Sequence, residues 1–231
     1  SLMLVDLIKP GHPVIFGPWP FVTDLRTGSF SGGGGEEVVM SAASAQITNH
    51  YGLASSVGAG MTDSKSPDAQ AGYEKGIAVV LAALAGCNNV SESSGMMASL
   101  MGYSFESLVI DNEMLGMVMR TVRGIEVNEE TLSYRAIKET VEGEGHFLRD
   151  PQTLSLMKTE YLYPTLADRS TQEEWENEGS PDMRQRAEKR AREILNSHYP
   201  VYIDDKIDKK VRDTFPIEIS RDIIKPTKDR Y

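Results

Sequence analysis

The sequence predicts an α/β fold, about half of an eight-stranded parallel barrel over residues 3–167, followed by a helical extension over residues 168–231. Three observations lead there. Short apolar runs of strand length alternate with longer segments of helical spacing. Glycine and proline punctuate the changes between them. From Asp168 onward the chain becomes more charged and the strand signals stop. Strand–helix alternation implies parallel pairing through helical crossovers, and in such layouts ligands sit in the loops after the strand C-termini. Three or four strand signals are too few to close a barrel of eight, so half a barrel is the better description.

Taken in order, Ser1-Leu2-Met3 lacks an initiator methionine and a signal-peptide pattern. Ser1 and Leu2 read as a cloning remnant, outside the fold, and the chain as an internal piece of a longer gene product. Pro13-Val14-Ile15-Phe16 reads as a buried strand that ends at Gly17-Pro18-Trp19-Pro20. After a loop and the glycine run 32–35, the spacing predicts a helix from Glu36 to about Tyr51. Val38, Val39, Ala42, Ala43 and Ile47 form its expected apolar side, and Gly52 stands where a left-handed C-terminal glycine belongs. Residues 53–57 are the next strand. Ser66-Pro67-Asp68 is expected to open a helix with Ser66 as its N-cap and Pro67 in its first turn. Ile77, Val80, Leu81 and Leu84 would be its buried face, with Gly86 closing it. Residues 88–92 read as a third, more polar strand. Helices are expected over residues 105–122, 129–141 and 182–196, the last carrying Met183, Ala187, Ala191, Ile194 and Leu195 along one side.

Composition narrows the function. With 231 residues, 40% of them hydrophobic and 25% charged, the chain has the make-up of a folded cytoplasmic protein. No apolar run reaches the roughly 18–20 residues of a membrane span. A formal net charge of −10 argues against a nucleic-acid partner and suits a cationic small molecule. One cysteine, Cys87, permits no internal disulfide and no cysteine-built metal cage. It reads as a small buried residue. The glycine run leads into a helix but no Lys-Ser or Lys-Thr follows, and Glu36 and Glu37 occupy the end where a phosphate would bind. The run therefore reads as a flexible or tightly turned loop, or a lid, and not as a phosphate cradle.

Several strings, in order, resemble segments of the trimethylamine:corrinoid methyltransferase family. They are Thr23-Asp24-Leu25-Arg26-Thr27-Gly28, the glycine run into Glu36-Glu37, and Gly60-Met61-Thr62-Asp63-Ser64-Lys65-Ser66-Pro67-Asp68. Glu92-Ser93-Ser94-Gly95-Met96, Val109-Ile110-Asp111-Asn112-Glu113-Met114, Gly145-His146-Phe147-Leu148 and Ala167-Asp168-Arg169 continue the series. The resemblance implies the C-terminal half of a (β/α)8 TIM-type barrel. It also implies methyl transfer from a small methylated amine to the cobalt of a separate corrinoid protein, so that cobalamin belongs to the partner and this chain binds no cofactor directly. The archaeal members carry pyrrolysine near the loop matching residues 61–66. Every residue here is standard, which resembles the pyrrolysine-lacking branch that demethylates glycine betaine and similar quaternary amines. Where many relatives read Gly-Pro-Gly-Gly-His and His-Thr-Leu, this chain has Glu142-Gly143-Glu144-Gly145-His146 and Gln152-Thr153-Leu154; no role carries over to the second position.

A permanently charged nitrogen needs aromatic faces and a carboxylate, each cation–π contact being worth roughly 0.5–2 kcal/mol. The candidates follow strand ends. Trp19 is a cation-box aromatic or a packing residue under its loop. Glu92, at a strand terminus, is a site carboxylate or one arm of an internal ion pair or helix cap. Asp63 and Lys65 belong to the pyrrolysine-equivalent loop or to a solvated turn. His146 receives a carboxylate or contacts the corrin side, unless backbone hydrogen bonds hold it. No residue is singled out as a nucleophile or metal ligand. A non-catalytic alternative stays open, in which the half-barrel self-associates through its open sheet edge as a homo-oligomer. A barrel lyase or isomerase would need an acid–base pair, which the sequence does not supply.

Overall fold

The computed structural model describes residues 2–220; Ser1 and residues 221–231 of the expected extension lie outside the described residues. Helix α1 (Leu2–Ile8) leads to strand β1 (Ile15–Phe16) and a small hairpin of β2 (Val22–Thr23) and β3 (Phe30–Ser31). Helix α2 (Gly35–His50), strand β4 (Ala54–Gly58), helix α3 (Ala69–Leu84) and strand β5 (Asn89–Ser91) follow. A second hairpin, β6 (Met96–Met97) and β7 (Gly102–Tyr103), precedes helix α4 (Phe105–Arg123). The remainder is helical: α5 (Tyr134–Glu142), a 3₁₀ turn (Phe147–Arg149), α6 (Pro151–Leu156), α7 (Gln172–Asn177), α8 (Met183–Ser197) and α9 (Asp205–Thr214). None of the described helices is long and apolar enough to cross a membrane.

The sheet is parallel, in the order β1-β4-β5, with Ile15 opposite Ala54 and Gly58 opposite Ser91. This is the crossover topology expected from the alternation. Helix α2 packs on β4, and α3 packs on α2 and reaches β5, around Val38, Val57, Ala59, Ala78 and Ala82, with Cys87 and Val90 half-buried against them. Burying each valine contributes about 1.5–3 kcal/mol. Left-handed glycines end both helices: Gly52 has φ +67° and Gly86 φ +86°.

Both helices have the expected period but a different phase. In α2 the buried positions are Glu37, Val38, Ser41, Ala45 and Thr48, whereas Val39 is 63% and Ile47 49% exposed and Ala43 is exposed too. In α3 the buried positions are Ala71, Glu74, Lys75, Ala78, Val79 and Ala82; Ile77, Leu81 and Leu84 lie outward and Val80 is half-buried. Strand β4 is Ala-Ser-Ser-Val-Gly. Helices approach such a small-residue strand closely, so alanine and serine occupy the contact and the bulkier side chains turn away. Two boundaries also differ. Asp68, not Ser66, caps α3, its carboxylate accepting from the Ala71 amide at 3.1 Å. Helix α5 starts at Tyr134 rather than Glu129, because the Asn128 side chain accepts from the Glu130 and Thr131 amides and holds a turn there.

The region after Asp168 is helical throughout its described part, apart from connecting turns. Helix α8 opens with a reciprocal capping box between Asp182 and Gln185 and lays Ala187 and Ala191 onto α4. As expected of that side, both alanines are buried, while Ile194 is 37% exposed. The sequence pattern did not signal the short helices α1, α6, α7 and α9 or the two hairpins.

Candidate functional site

The C-terminal ends of β1, β4 and β5 lie side by side, and the loops leaving them gather the residues of interest. Trp19, three residues beyond β1, covers Gly58, the last residue of β4: a Cβ placed on that glycine would stand 3.5 Å from the indole. Trp19 meets Phe21 edge-on at 6.4 Å, and Phe21 meets Phe30 edge-on at 5.0 Å. This row of rings runs from the sheet to the β2–β3 hairpin. The indole is 39% exposed, so it is not simply a plug under the loop.

Asp63 ties three segments together. Its carboxylate accepts from the Ser31 hydroxyl at 2.6 Å, the Gly32 amide at 2.8 Å and the Ser99 hydroxyl at 2.5 Å. Burial alone would push this carboxyl up, but the hydrogen bonds from Ser31, Ser99, Gly32 and Gly33 outweigh burial and hold it below the usual aspartate value. Beside it, Glu74 accepts from the Thr62 hydroxyl at 2.5 Å and the Asp63 amide at 2.9 Å. A Cβ on Gly33 would collide with the Glu74 carboxylate, which is why a residue without a side chain stands there. The glycine run is thus tightly turned, with Gly32 and Gly33 buried.

A left-handed turn completes this clasp. Ala98, Ser99 and Leu100 have φ of 51°, 54° and 71°, and the Ala98 and Ser99 amides donate to the Ser64 and Thr62 carbonyls, each at 2.8 Å. Such a conformation costs roughly 1–2 kcal/mol per residue, a strain that its bonds to residues 62–64 offset. Lys65 is exposed, its ammonium donating to the Asp63 carbonyl at 2.6 Å. Glu92 follows β5 directly, at the level of Gly58. It is half-buried, has φ +60°, and takes no hydrogen bond from the described residues. A positive φ in a non-glycine residue is a strained conformation.

A buried charged group that sequence reasoning did not single out is Glu37, in the first turn of α2. Only 1% of it is exposed. Its Oε1 accepts from the Ser41 hydroxyl at 2.6 Å, and that hydroxyl lies 3.4 Å from the Gly58 carbonyl oxygen. Its Oε2 has no partner. Burial pushes the Glu37 carboxyl up, the Ser41 hydroxyl opposes this, and the negative charge of Asp63 adds to the rise. The sequence signal was the Glu37–Ser41 spacing of four behind the glycine run; the unpartnered oxygen is visible only in three dimensions.

The arrangement is acidic and aromatic. The one buried ammonium among the described residues, Lys75, is committed to Asp111 at 2.6 Å and Ser107 at 2.8 Å. Among the described residues no three His, Cys, Asp or Glu side chains converge to hold a metal ion. Trp19, Asp63, Lys65 and Glu92 therefore all belong to one end of the sheet. His146 stands apart, in the turn before the 3₁₀ segment, with its ring 3.5 Å from Glu144 and no hydrogen bond to that end.

Comparison with known proteins supplies the context. A family profile described as trimethylamine methyltransferase (MTTB) matches residues 1–217. The chain is 36% identical over 212 residues to a glycine betaine methyltransferase of Desulfitobacterium hafniense (strain Y51), covering 92% of this chain and 44% of that protein. It is 37% identical over 207 residues to a trimethylamine methyltransferase of Methanosarcina thermophila, covering 90% and 42%. It is 32% identical over 231 residues to a trimethylamine methyltransferase of Desulfitobacterium hafniense (strain DSM 10664 / DCB-2), covering 100% and 44%. The chain thus spans less than half the length of the curated relatives it matches.

Proposed function

The chain belongs to the trimethylamine methyltransferase family, and from that premise we propose that the protein carrying it moves a methyl group from a quaternary or tertiary methylamine, such as a betaine, to the cobalt of a separate corrinoid protein. The observation that carries the reading is the juxtaposition of Trp19 over Gly58 with carboxyl groups at the same strand end and no buried ammonium left free beside them. A methylated onium ion suits such surroundings: the ring face attracts the cation, and the acids make the strand end negative. It needs no hydrogen-bond donor at nitrogen.

In this reading the partner's reduced corrinoid supplies the nucleophile, and the amine departs with the electron pair of the broken N–CH₃ bond. The chain's own residues contribute position. Trp19 and the acids fix the nitrogen so that one methyl faces outward in line with cobalt, and the clasp of residues 31–33, 62–64 and 98–100 keeps the rim rigid. Catalysis by holding reactants in line and excluding water asks for no acid, base or covalent side chain. The standard residues of the 61–66 loop, with Lys65 outward, favour a quaternary amine over trimethylamine.

We read the sheet as the C-terminal half of a (β/α)8 TIM-type barrel, residues 3–167, with 168–231 as the extension. Support comes from the open edge at β1, where Ile15 is 70% exposed, and from the outward apolar residues of α2 and α3. These surfaces are what further strand–helix units would cover. The test is anaerobic incubation of the complete gene product with glycine betaine and a reduced corrinoid protein, followed by visible absorbance. Formation of methylcobalamin is expected, and Trp19→Ala should slow it at least tenfold. No methylcobalamin from any betaine or methylamine overturns the reading.

A further inference from the structure

A ring of contacts that starts and ends on β4 places Trp19 over Gly58. Gly58 closes that strand, and the loop leaving it carries Asp63. The Asp63 carboxylate accepts from the Ser31 hydroxyl at 2.6 Å and the Gly32 amide at 2.8 Å, both at the end of β3. Across the hairpin Ser31 is paired with Val22 and Phe30 with Thr23, so holding β3 also holds β2. Phe30 meets Phe21, and Phe21 meets Trp19, each edge-on. We propose that Asp63 is the positioning residue of Trp19: it latches the β2–β3 hairpin to the loop after β4 and so lays the indole over the strand end.

This rests on the onium reading above and names the group that sets its aromatic face. Trp19 stands between Pro18 and Pro20. A residue before proline is confined to extended backbone, and proline's own φ is fixed. The link from Trp19 to β2 is therefore short and stiff, and a shift of the hairpin reaches the indole. The hairpin has two residues in each strand and, among the described residues, pairs with no other strand. A ladder that small does not hold itself in place. Its anchor is fixed independently. Asp63 also accepts from the Ser99 hydroxyl, and the left-handed turn at 98–100 is bonded to the carbonyls of Thr62 and Ser64. Gly32 lies against Met61, where an added Cβ would stand 3.2 Å from the methionine Cβ, so the latch closes with no side chain between. The role is geometric: each bond needs an acceptor or hydrogen-bonding partner at position 63, not a charge. An asparagine there keeps a carbonyl oxygen for the Gly32 amide and the Ser99 hydroxyl, and its amino group donates to Ser31 Oγ. A counter-ion for the substrate, by contrast, is lost with alanine and asparagine alike.

The first measurement is acrylamide quenching of Trp19 fluorescence in the 231-residue chain carrying Trp175→Phe, which leaves Trp19 as its one tryptophan. Asp63→Ala should raise the quenching constant about twofold or more, Ser31→Ala should raise it less, and Asp63→Asn should leave it near the starting value. The second is demethylation of glycine betaine by the complete gene product with reduced corrinoid protein. Asp63→Ala should lower kcat/KM about tenfold when Trp19 is present and less than about twofold when Trp19→Ala is already in place, a non-additivity that general loss of stability does not produce. Asp63→Asn should keep most of the activity. Unchanged quenching in a folded Asp63→Ala overturns the proposal; if that variant does not fold, unchanged quenching in Ser31→Ala does so. Asp63→Asn as slow as Asp63→Ala, with quenching like that of wild type, also overturns it by giving Asp63 a charge role. The onium reading stands in all three cases. Absence of methyl transfer by wild type from any methylated amine overturns that reading, and the quenching series then decides by itself whether Asp63 places Trp19.

Discussion

At the residue scale, Asp63 shows how the site is held. One carboxylate serves the hairpin after β1, the loop after β4 and the left-handed turn at 98–100. Hydrogen bonds to a charged acceptor contribute roughly 1.5–3 kcal/mol each when well shielded, and this group is only partly buried, so Asp63→Ala should cost about 2 kcal/mol in urea unfolding at pH 7. The sign of the pH dependence follows from the direction of the shift. A carboxyl held below its unfolded value stabilises the fold above that value, and the contribution disappears as pH falls through the folded-state value. The gap between wild type and variant should narrow in acid; a constant or widening gap contradicts this role. The position of Trp19, Asp63, Lys65 and Glu92 at one end of the sheet was legible because each follows a strand signal. The unpartnered oxygen of Glu37 was not. Nothing in a string of letters distinguishes a glutamate that repels phosphate at a helix start from one buried with an oxygen unpartnered.

At the element scale, helix phase was the weak point. The run Ile77, Val80, Leu81 and Leu84 has a buried face's spacing, yet the Ala71, Ala78 and Ala82 side is the one buried. The choice was set by the neighbour: a strand of small residues admits close helices, and periodicity in one segment carries no information about the next. Lys75 also lies on the inward side. Its ammonium meets the Asp111 carboxylate, which receives the Ser107 hydroxyl at 3.0 Å and the Gly95 amide at 2.7 Å as well. This joins α3 to α4 and to the loop after β5. Removing one partner leaves the other charge buried and unpaired, so Lys75→Met should cost about 3–5 kcal/mol in urea unfolding. Replacing both, as Lys75→Met with Asp111→Leu, should recover most of that loss. A single variant within about 1 kcal/mol of wild type would mean the pair is not buried in solution.

At the scale of the whole molecule, strand–helix alternation delivered the parallel sheet and the position of its loops, while the hairpins β2–β3 and β6–β7 were invisible, since two-residue strands carry no pattern. The sheet ends in open edges, and its helices turn Val39, Ile47, Ile77 and Leu84 outward. A chain that spans less than half of its relatives' length and bears such surfaces fits a part of a larger barrel, closed by further strands. The central claim is that a methylated nitrogen is gripped at the C-terminal end of this sheet. The most direct measurement is a crystal structure of the complete gene product soaked with glycine betaine. The ammonium is expected against the face of Trp19, with a further parallel strand paired to Ile15–Phe16. Betaine bound away from the ends of β1, β4 and β5, for instance at His146, would contradict the account.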